Sequence, residues 1–196
     1  MNQKIQNYIS SLDLEVEESR KPVLQQLAEY IRGNTYPQLN FICTHNSRRS
    51  HLSQVWAQVF AHQEGIQVST FSGGTEATAF NPNAVSALRR AGLAISEAAG
   101  DNPKYQVSFD DQLEPMICFS KTFDDLVNPK TDFAAIMTCS EADADCPYVP
   151  GADTRIKLFY KDPKISDGTP EERQTYDARC AQIANEMRYI FSSIKS

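Results

Sequence analysis

The feature that most constrains this chain is an apolar run ending in a cysteine, Asn40-Phe41-Ile42-Cys43, followed by Thr44-His45-Asn46-Ser47-Arg48-Arg49-Ser50. After it, Leu52, Val55, Trp56, Val59 and Phe60 recur at the i, i+3, i+4, i+7, i+8 spacing of a helix with one buried face. The segment predicts a strand over 40–43, a loop, and a helix running to about residue 62 and stopping near Gly65. The same order repeats. Residues 68–71 read as a strand running into a Gly73-Gly74 turn, and Asn81-Pro82 supply a cap and first-turn proline for a helix that ends at Gly92. Strand–helix–strand–helix argues for a parallel sheet covered on both faces. Ligands in such sheets bind beyond the carboxyl ends of the strands, where Cys43 falls.

Residues 1–38 read as a helical extension ahead of a catalytic domain over 39–196. Ile5, Tyr8 and Ile9 suggest a short helix. Ser19 and Pro22 supply the cap and first turn of a second, with Val23, Leu24, Leu27, Tyr30 and Ile31 as its apolar face and Gly33-Asn34 as its stop. This hairpin is expected to pack on the body or on a second subunit. Further along, residues 105–109 and 116–120 read as two strands joined by a loop. Residues 133–139 form a buried strand ending in Cys139, 155–160 another strand, and about 170–193 a helix with Tyr176, Cys180, Ile183, Met187 and Ile190 on one face.

Three strand ends carry the chemistry. At the first, the loop 43–50 opens a helix, so backbone N–H groups and the helix dipole favour a tetrahedral oxyanion and lower the pKa of a thiol placed there. Arg49 can fork onto two of the anion's oxygens. Thr44, His45, Asn46, Ser47, Arg48 and Ser50 complete the loop. Asn46, Ser47 and Ser50 suit a turn that bonds its own backbone, and Ser50 can donate to the Cys43 thiolate. At the second, Cys139 and Cys146-Pro147 bracket a polar, acidic stretch expected to be a mobile loop. A reactive thiol pair, two incidental thiols and a metal site all fit that pattern, although no histidine completes a metal ligand set. At the third, Asp162-Pro163 is either a solvated turn or, beside Cys43, a general acid for a leaving oxygen. Cys118 and Cys180 are expected in the core, and His51 and His62 on a helix surface.

The totals exclude several classes. A formal charge of −6 without a basic stripe argues against nucleic acid. No apolar run of about 18 residues predicts a membrane span. A polar N-terminus without a signal core and an odd count of five cysteines point to reduced thiols in the cytoplasm. Neither a cofactor nor a metal is expected.

The loop 43–50 resembles the phosphate-loop signature of the low-molecular-weight protein tyrosine phosphatase superfamily, and within it the thioredoxin-coupled arsenate reductases. Phe71-Ser72-Gly73-Gly74-Thr75-Glu76 with Asn81-Pro82, the Cys139/Cys146-Pro147 spacing and Asp162-Pro163 extend the likeness over about residues 39–195. The resemblance implies a three-layer α/β/α sandwich with a central, mostly parallel sheet. It implies arsenate reduction: Cys43 as nucleophile, Arg49 on the oxyanion, Asp162 as acid, Cys139 and Cys146 as a redox pair, and thioredoxin as reductant. The alternative is hydrolysis of a phosphomonoester, as in the tyrosine phosphatases, through a phosphocysteine. A third reading is a non-catalytic oxyanion or redox sensor. Three departures stand out. His45 replaces the family's usual glycine. Gln54 replaces a glutamate that assists a potassium ion in some members. Lys164-Ile165-Ser166 stand where the phosphatases often carry aromatics.

Overall fold

A computed structural model describes residues 1–13, 15–96, 99–145 and 148–195. In chain order the elements are α1 (Gln3–Ser11), α2 (Lys21–Gly33), β1 (Gln38–Cys43), α3 (Arg49–Glu64), β2 (Ser69–Gly74), α4 (Pro82–Arg90), β3 (Ala94–Ile95), β4 (Tyr105–Ser108) and β5 (Met116–Cys118). There follow β6 (Phe133–Met137), α5 (Ser140–Asp145), β7 (Ala152–Lys157), a short 3-10 helix (Pro163–Ser166) and α6 (Glu172–Ile194). The fold is a three-layer α/β/α sandwich. Its central sheet has the order β2-β1-β6-β7 with every pairing parallel. Among the described residues, no helix is long and apolar enough to cross a membrane.

The burial of the strands follows from coverage on both faces. All five residues of β6 are buried, the continuous apolar run expected of an interior parallel strand. Phe41 and Ile136 face a large core shared with α3 and α6. Ile42, Ala135 and Met137 face a smaller one with Cys43, Cys139 and Val149. The first two helices join the larger core: Ile5, Ile9, Leu24, Leu27 and Ile31 are buried in the same cluster as Val55, Ile183 and Met187.

Several local expectations are corrected. Ser19 does not cap α2. Arg20 stands at the cap without a side-chain bond to the helix, and Pro22 lies in the first turn. The strand expected over 155–160 instead spans Ala152–Lys157, because β6, its neighbour among the described residues, ends at Met137 opposite Lys157 and offers Leu158 to Tyr160 no ladder. The two strands near 105 and 116 form as expected, paired antiparallel, and with β3 they make a separate three-stranded sheet. The acidic stretch after Cys139 is helical over Ser140–Asp145, where Glu141 and Asp143 meet the positive end of the helix. Gly73 and Gly74 are no turn: they are the last residues of β2, paired with Ile42 and Cys43. His51 is fully buried, because its ring packs on Phe80 and beside Ser72 of β2. His62 is exposed as expected.

Candidate oxyanion-binding site

All four parallel strands point their carboxyl ends at one edge, and the residues singled out from the sequence gather there. Cys43 ends β1. Its thiol lies 3.1 Å from the Ser50 hydroxyl. The following loop turns through Asn46, which is buried and left-handed at φ 43°. Asparagine tolerates that region far better than most side chains. The Asn46 amide donates to Ser50 Oγ at 2.9 Å and accepts from the Lys121 backbone N–H at 3.0 Å. The loop is therefore held by a distant segment rather than by its own backbone alone. His45 is not in the left-handed region, so a side chain fits where the family favours glycine. Its imidazole is half exposed and 3.6 Å from Glu76.

The start of α3 has no side-chain cap. Its first N–H groups are thus left without that partner, as an anion site requires. Arg49 is buried, with Nη1 donating to the Tyr160 carbonyl at 3.1 Å and Nη2 to Asp162 Oδ2 at 2.8 Å. Arg48 donates to the Tyr176 hydroxyl at 3.0 Å, so its side chain braces α6, and its Nη1 lies 3.8 Å from the same Asp162 Oδ2. Asp162 does double service: Oδ1 accepts from the Lys164 N–H at 3.0 Å, making the expected turn, while Oδ2 meets Arg49.

Cys139 follows β6, the strand beside β1. It is buried in the same small cluster as Cys43, and its sulfur lies 3.5 Å from Thr44 Oγ1 and 3.4 Å from the Ala142 N–H. Burial pushes its thiol pKa up. The Thr44 hydroxyl, the Ala142 N–H and the Arg49 charge oppose that, and the nearby Cys43 adds to it. Cys146 and Pro147 lie outside the described residues. Cys118 and Cys180 are core residues with thiols pushed up to about 12 chiefly by burial, and Trp56 Nε1 donates to Cys180 at 3.2 Å. Gln54 is buried and spends its amide N–H on the Thr70 carbonyl, leaving Oε1 unpartnered. A neutral amide keeps an acceptor oxygen at this position but lacks the carboxylate's charge.

Sequence reasoning missed the strap that clamps the loop from outside. Ser120 Oγ donates to the His45 carbonyl at 2.9 Å and accepts from the Thr78 N–H at 2.8 Å, next to the Lys121 bond to Asn46. The contacts to His45 and Asn46 span 75 residues and that to Thr78 spans 42, and no local pattern announces them. Behind the loop, the His51 ring stacks on Phe80 with centroids 4.0 Å apart and Nδ1 3.3 Å from Ser72 Oγ.

Burial drives the His51 pKa well below its ordinary 6.5, and the Lys121 charge acts in the same direction. The unfolded chain therefore binds the extra proton as pH falls. The stability tied to a neutral His51 is whole above about 6.5 and lost as pH drops toward the folded pKa, at up to about 1.4 kcal/mol per pH unit. Urea titrations near pH 7.5 and near pH 5.5 should show a shallower pH dependence for His51→Asn than for wild type. Equal slopes would contradict this account.

The site joins a strand-end thiol, an uncapped helix start, a buried arginine and a carboxylate, the equipment of a cysteine-dependent oxyanion enzyme. The arsenate reductase of Bacillus licheniformis is 33% identical over 139 residues, covering 71% of this chain and 83% of that protein. That of Halalkalibacterium halodurans is 30% identical over 133 residues, 68% of this chain and 78% of that protein. The low-molecular-weight phosphotyrosine phosphatase of Vibrio cholerae O395 shares the fold at TM-score 0.55 and 14% identity, covering 81% of this chain and 97% of that one. No family model matches the chain. The chain belongs to the low-molecular-weight protein tyrosine phosphatase and arsenate reductase superfamily.

Proposed function

We propose that this chain reduces arsenate to arsenite through a thiol relay reset by thioredoxin. The Cys43 thiolate attacks arsenic held by the loop N–H groups and the Arg49 fork. An arsenic–oxygen bond breaks, and the oxygen leaves as water with a proton from Asp162. Cys139, as thiolate, attacks the Cys43 sulfur. The sulfur–arsenic bond breaks with its electron pair staying on arsenic, which departs as arsenite, and a Cys43–Cys139 disulfide remains. Cys146 attacks Cys139 and frees Cys43, and the dithiol of thioredoxin reduces the resulting Cys139–Cys146 disulfide.

The observation that carries this reading is the second thiol: Cys139 Sγ lies 3.5 Å from Thr44 Oγ1, against the loop that bears Cys43. Hydrolysis has no use for it, whereas reduction needs a second sulfur as electron source. The curated relatives named above are arsenate reductases, which supports the same branch.

Phosphomonoester hydrolysis is favoured by a different feature. A cleft of about 680 Å³ beside Arg49, lined by Glu141, Phe159, Lys161, Lys164 and Ile165, is larger than an inorganic oxyanion requires. One experiment separates the two. Arsenite release is measured with thioredoxin, thioredoxin reductase and NADPH, beside hydrolysis of an aryl phosphate. Wild type should turn over arsenate repeatedly. Cys146→Ser should stop after about one equivalent, and Cys139→Ser should release no arsenite. Sustained turnover by Cys146→Ser, or a response from the aryl phosphate alone, would defeat the relay.

A further inference from the structure

We infer that Arg20, from the N-terminal extension, is a positioning residue for the loop that aims Arg49 and Asp162 at the oxyanion. The inference rests on reading Cys43 and Arg49 as an oxyanion site. Arg20 lies outside residues 39–195, which carry the family likeness, so nothing in that likeness assigns it a role.

The contacts form one continuous path. Arg20 enters the body at the start of α2. Its Nε and Nη2 fork onto both carboxylate oxygens of Glu186 on α6, at 2.9 and 2.7 Å. Its remaining nitrogen, Nη1, donates to the Phe159 carbonyl at 2.9 Å, and the guanidinium lies 5.1 Å over the Tyr160 ring. Gln182 also donates to Glu186 Oε1, at 3.1 Å, a second hold on the carboxylate. Phe159 and Tyr160 have already left the sheet, since β7 ends at Lys157. Among the described residues, this stretch has no ladder beyond the Tyr160 N–H bond to the Thr138 carbonyl at 3.0 Å. It nevertheless supplies the Tyr160 carbonyl that takes Arg49 Nη1 and, two residues on, the Asp162 carboxylate that takes Nη2. Arg20 grips the peptide immediately before the one that orients Arg49.

The pair is well suited to the task. A planar guanidinium that spends two nitrogens on a carboxylate and a third on a carbonyl defines a direction, which a lysine ammonium does not. The Glu186 side chain is only 4% exposed and that of Arg20 19%, so the pair is shielded from solvent and its geometry is well defined. Displacing reacting groups by about 1 Å costs on the order of 100-fold in rate, so a loosened Phe159–Tyr160 peptide should register at the site without any contact from Arg20 to substrate.

The test uses the full chain. Protection of Cys43 from iodoacetate by inorganic phosphate gives a phosphate Kd that does not depend on turnover. It is measured for wild type, Arg20→Ala, Arg20→Lys and the double variant Arg20→Gln/Glu186→Gln, which leaves no lone buried charge and so guards against misfolding. Arg32→Ala is the control: Arg32 also ties the extension to α6, through the Ser193 carbonyl at 2.8 Å, at a position remote from this loop. The expected result is a phosphate Kd raised about tenfold in Arg20→Ala and in the double variant. The rise should be smaller in Arg20→Lys and absent in Arg32→Ala. A phosphate Kd unchanged in both Arg20→Ala and the double variant overturns the proposal while leaving the site intact. If phosphate does not protect Cys43 even in wild type, the oxyanion site itself fails, and the role of Arg20 falls with it.

Discussion

Arg49→Ala should lower kcat/KM by about 1,000-fold or more, whichever oxyanion is transformed. Removing a single preorganised donor from an oxyanion site costs on the order of 100- to 1,000-fold, and Arg49 would contribute two donors and a full charge. The loss compounds, because Asp162 Oδ2 sits 2.8 Å and Glu141 Oε2 3.9 Å from the guanidinium. Without that cation, Asp162 and Glu141 face the incoming anion with only Arg48, 3.8 Å from Asp162, to offset them. Arg49→Lys separates charge from shape. An ammonium keeps the charge but cannot serve the Tyr160 carbonyl and Asp162 in one plane, so about 100-fold of the loss should remain. Thermal unfolding run alongside distinguishes a collapsed loop from a missing ligand. Activity of Arg49→Ala within about tenfold of wild type would remove Arg49 from the chemistry.

The sequence was legible where function is written in short spacings. The unit of strand, loop and helix at 38–64 could be read from one apolar run and one helical period, and the observed bounds Gln38–Cys43 and Arg49–Glu64 match it closely. Asn81 caps α4 as its Asn-Pro step implies, accepting from the Asn83 and Ala84 N–H groups. Cys139 and Asp162 could be singled out because parallel strands bring their carboxyl ends together. What resisted reading was the set of polar contacts made across the chain outside the strand ends. His51 occupies a polar position in the helical pattern, yet it is buried because Phe80 and Ser72 cover it. Ser120 and Lys121 clamp the loop from 75 residues away. Arg20 belongs to no local pattern, and its partner Glu186 lies 166 residues downstream. Local period reports which face is apolar; it does not report which neighbour covers a polar one.

Gly74→Ala tests the tightest of these junctions and should damage both stability and anion binding. Gly74 closes β2 opposite Cys43, and its carbonyl accepts from the Phe123 N–H at 2.9 Å. A Cβ built there would lie 2.6 Å from the Thr44 carbonyl oxygen and 2.7 Å from the Asn46 nitrogen, with the Glu76 carbonyl closer still. All three are backbone atoms, so no side chain can swing aside. The φ of Gly74 is not in the left-handed region. The glycine is needed for space, which is why a strand ends in the pair that composition alone suggests is a turn. Overpacking of this kind costs about 1–3 kcal/mol, read as a lower urea midpoint with an unchanged slope. Because relief has to come from moving Thr44 or Asn46, the loop N–H groups shift with it, and the phosphate Kd should rise by about tenfold or more. Gly33→Ala provides the contrast. Nothing lies within 4 Å of a Cβ at the end of α2, so that change should be neutral or add up to about 1 kcal/mol. If Gly74→Ala matched Gly33→Ala in both stability and phosphate binding, β2 would have no part in shaping the loop.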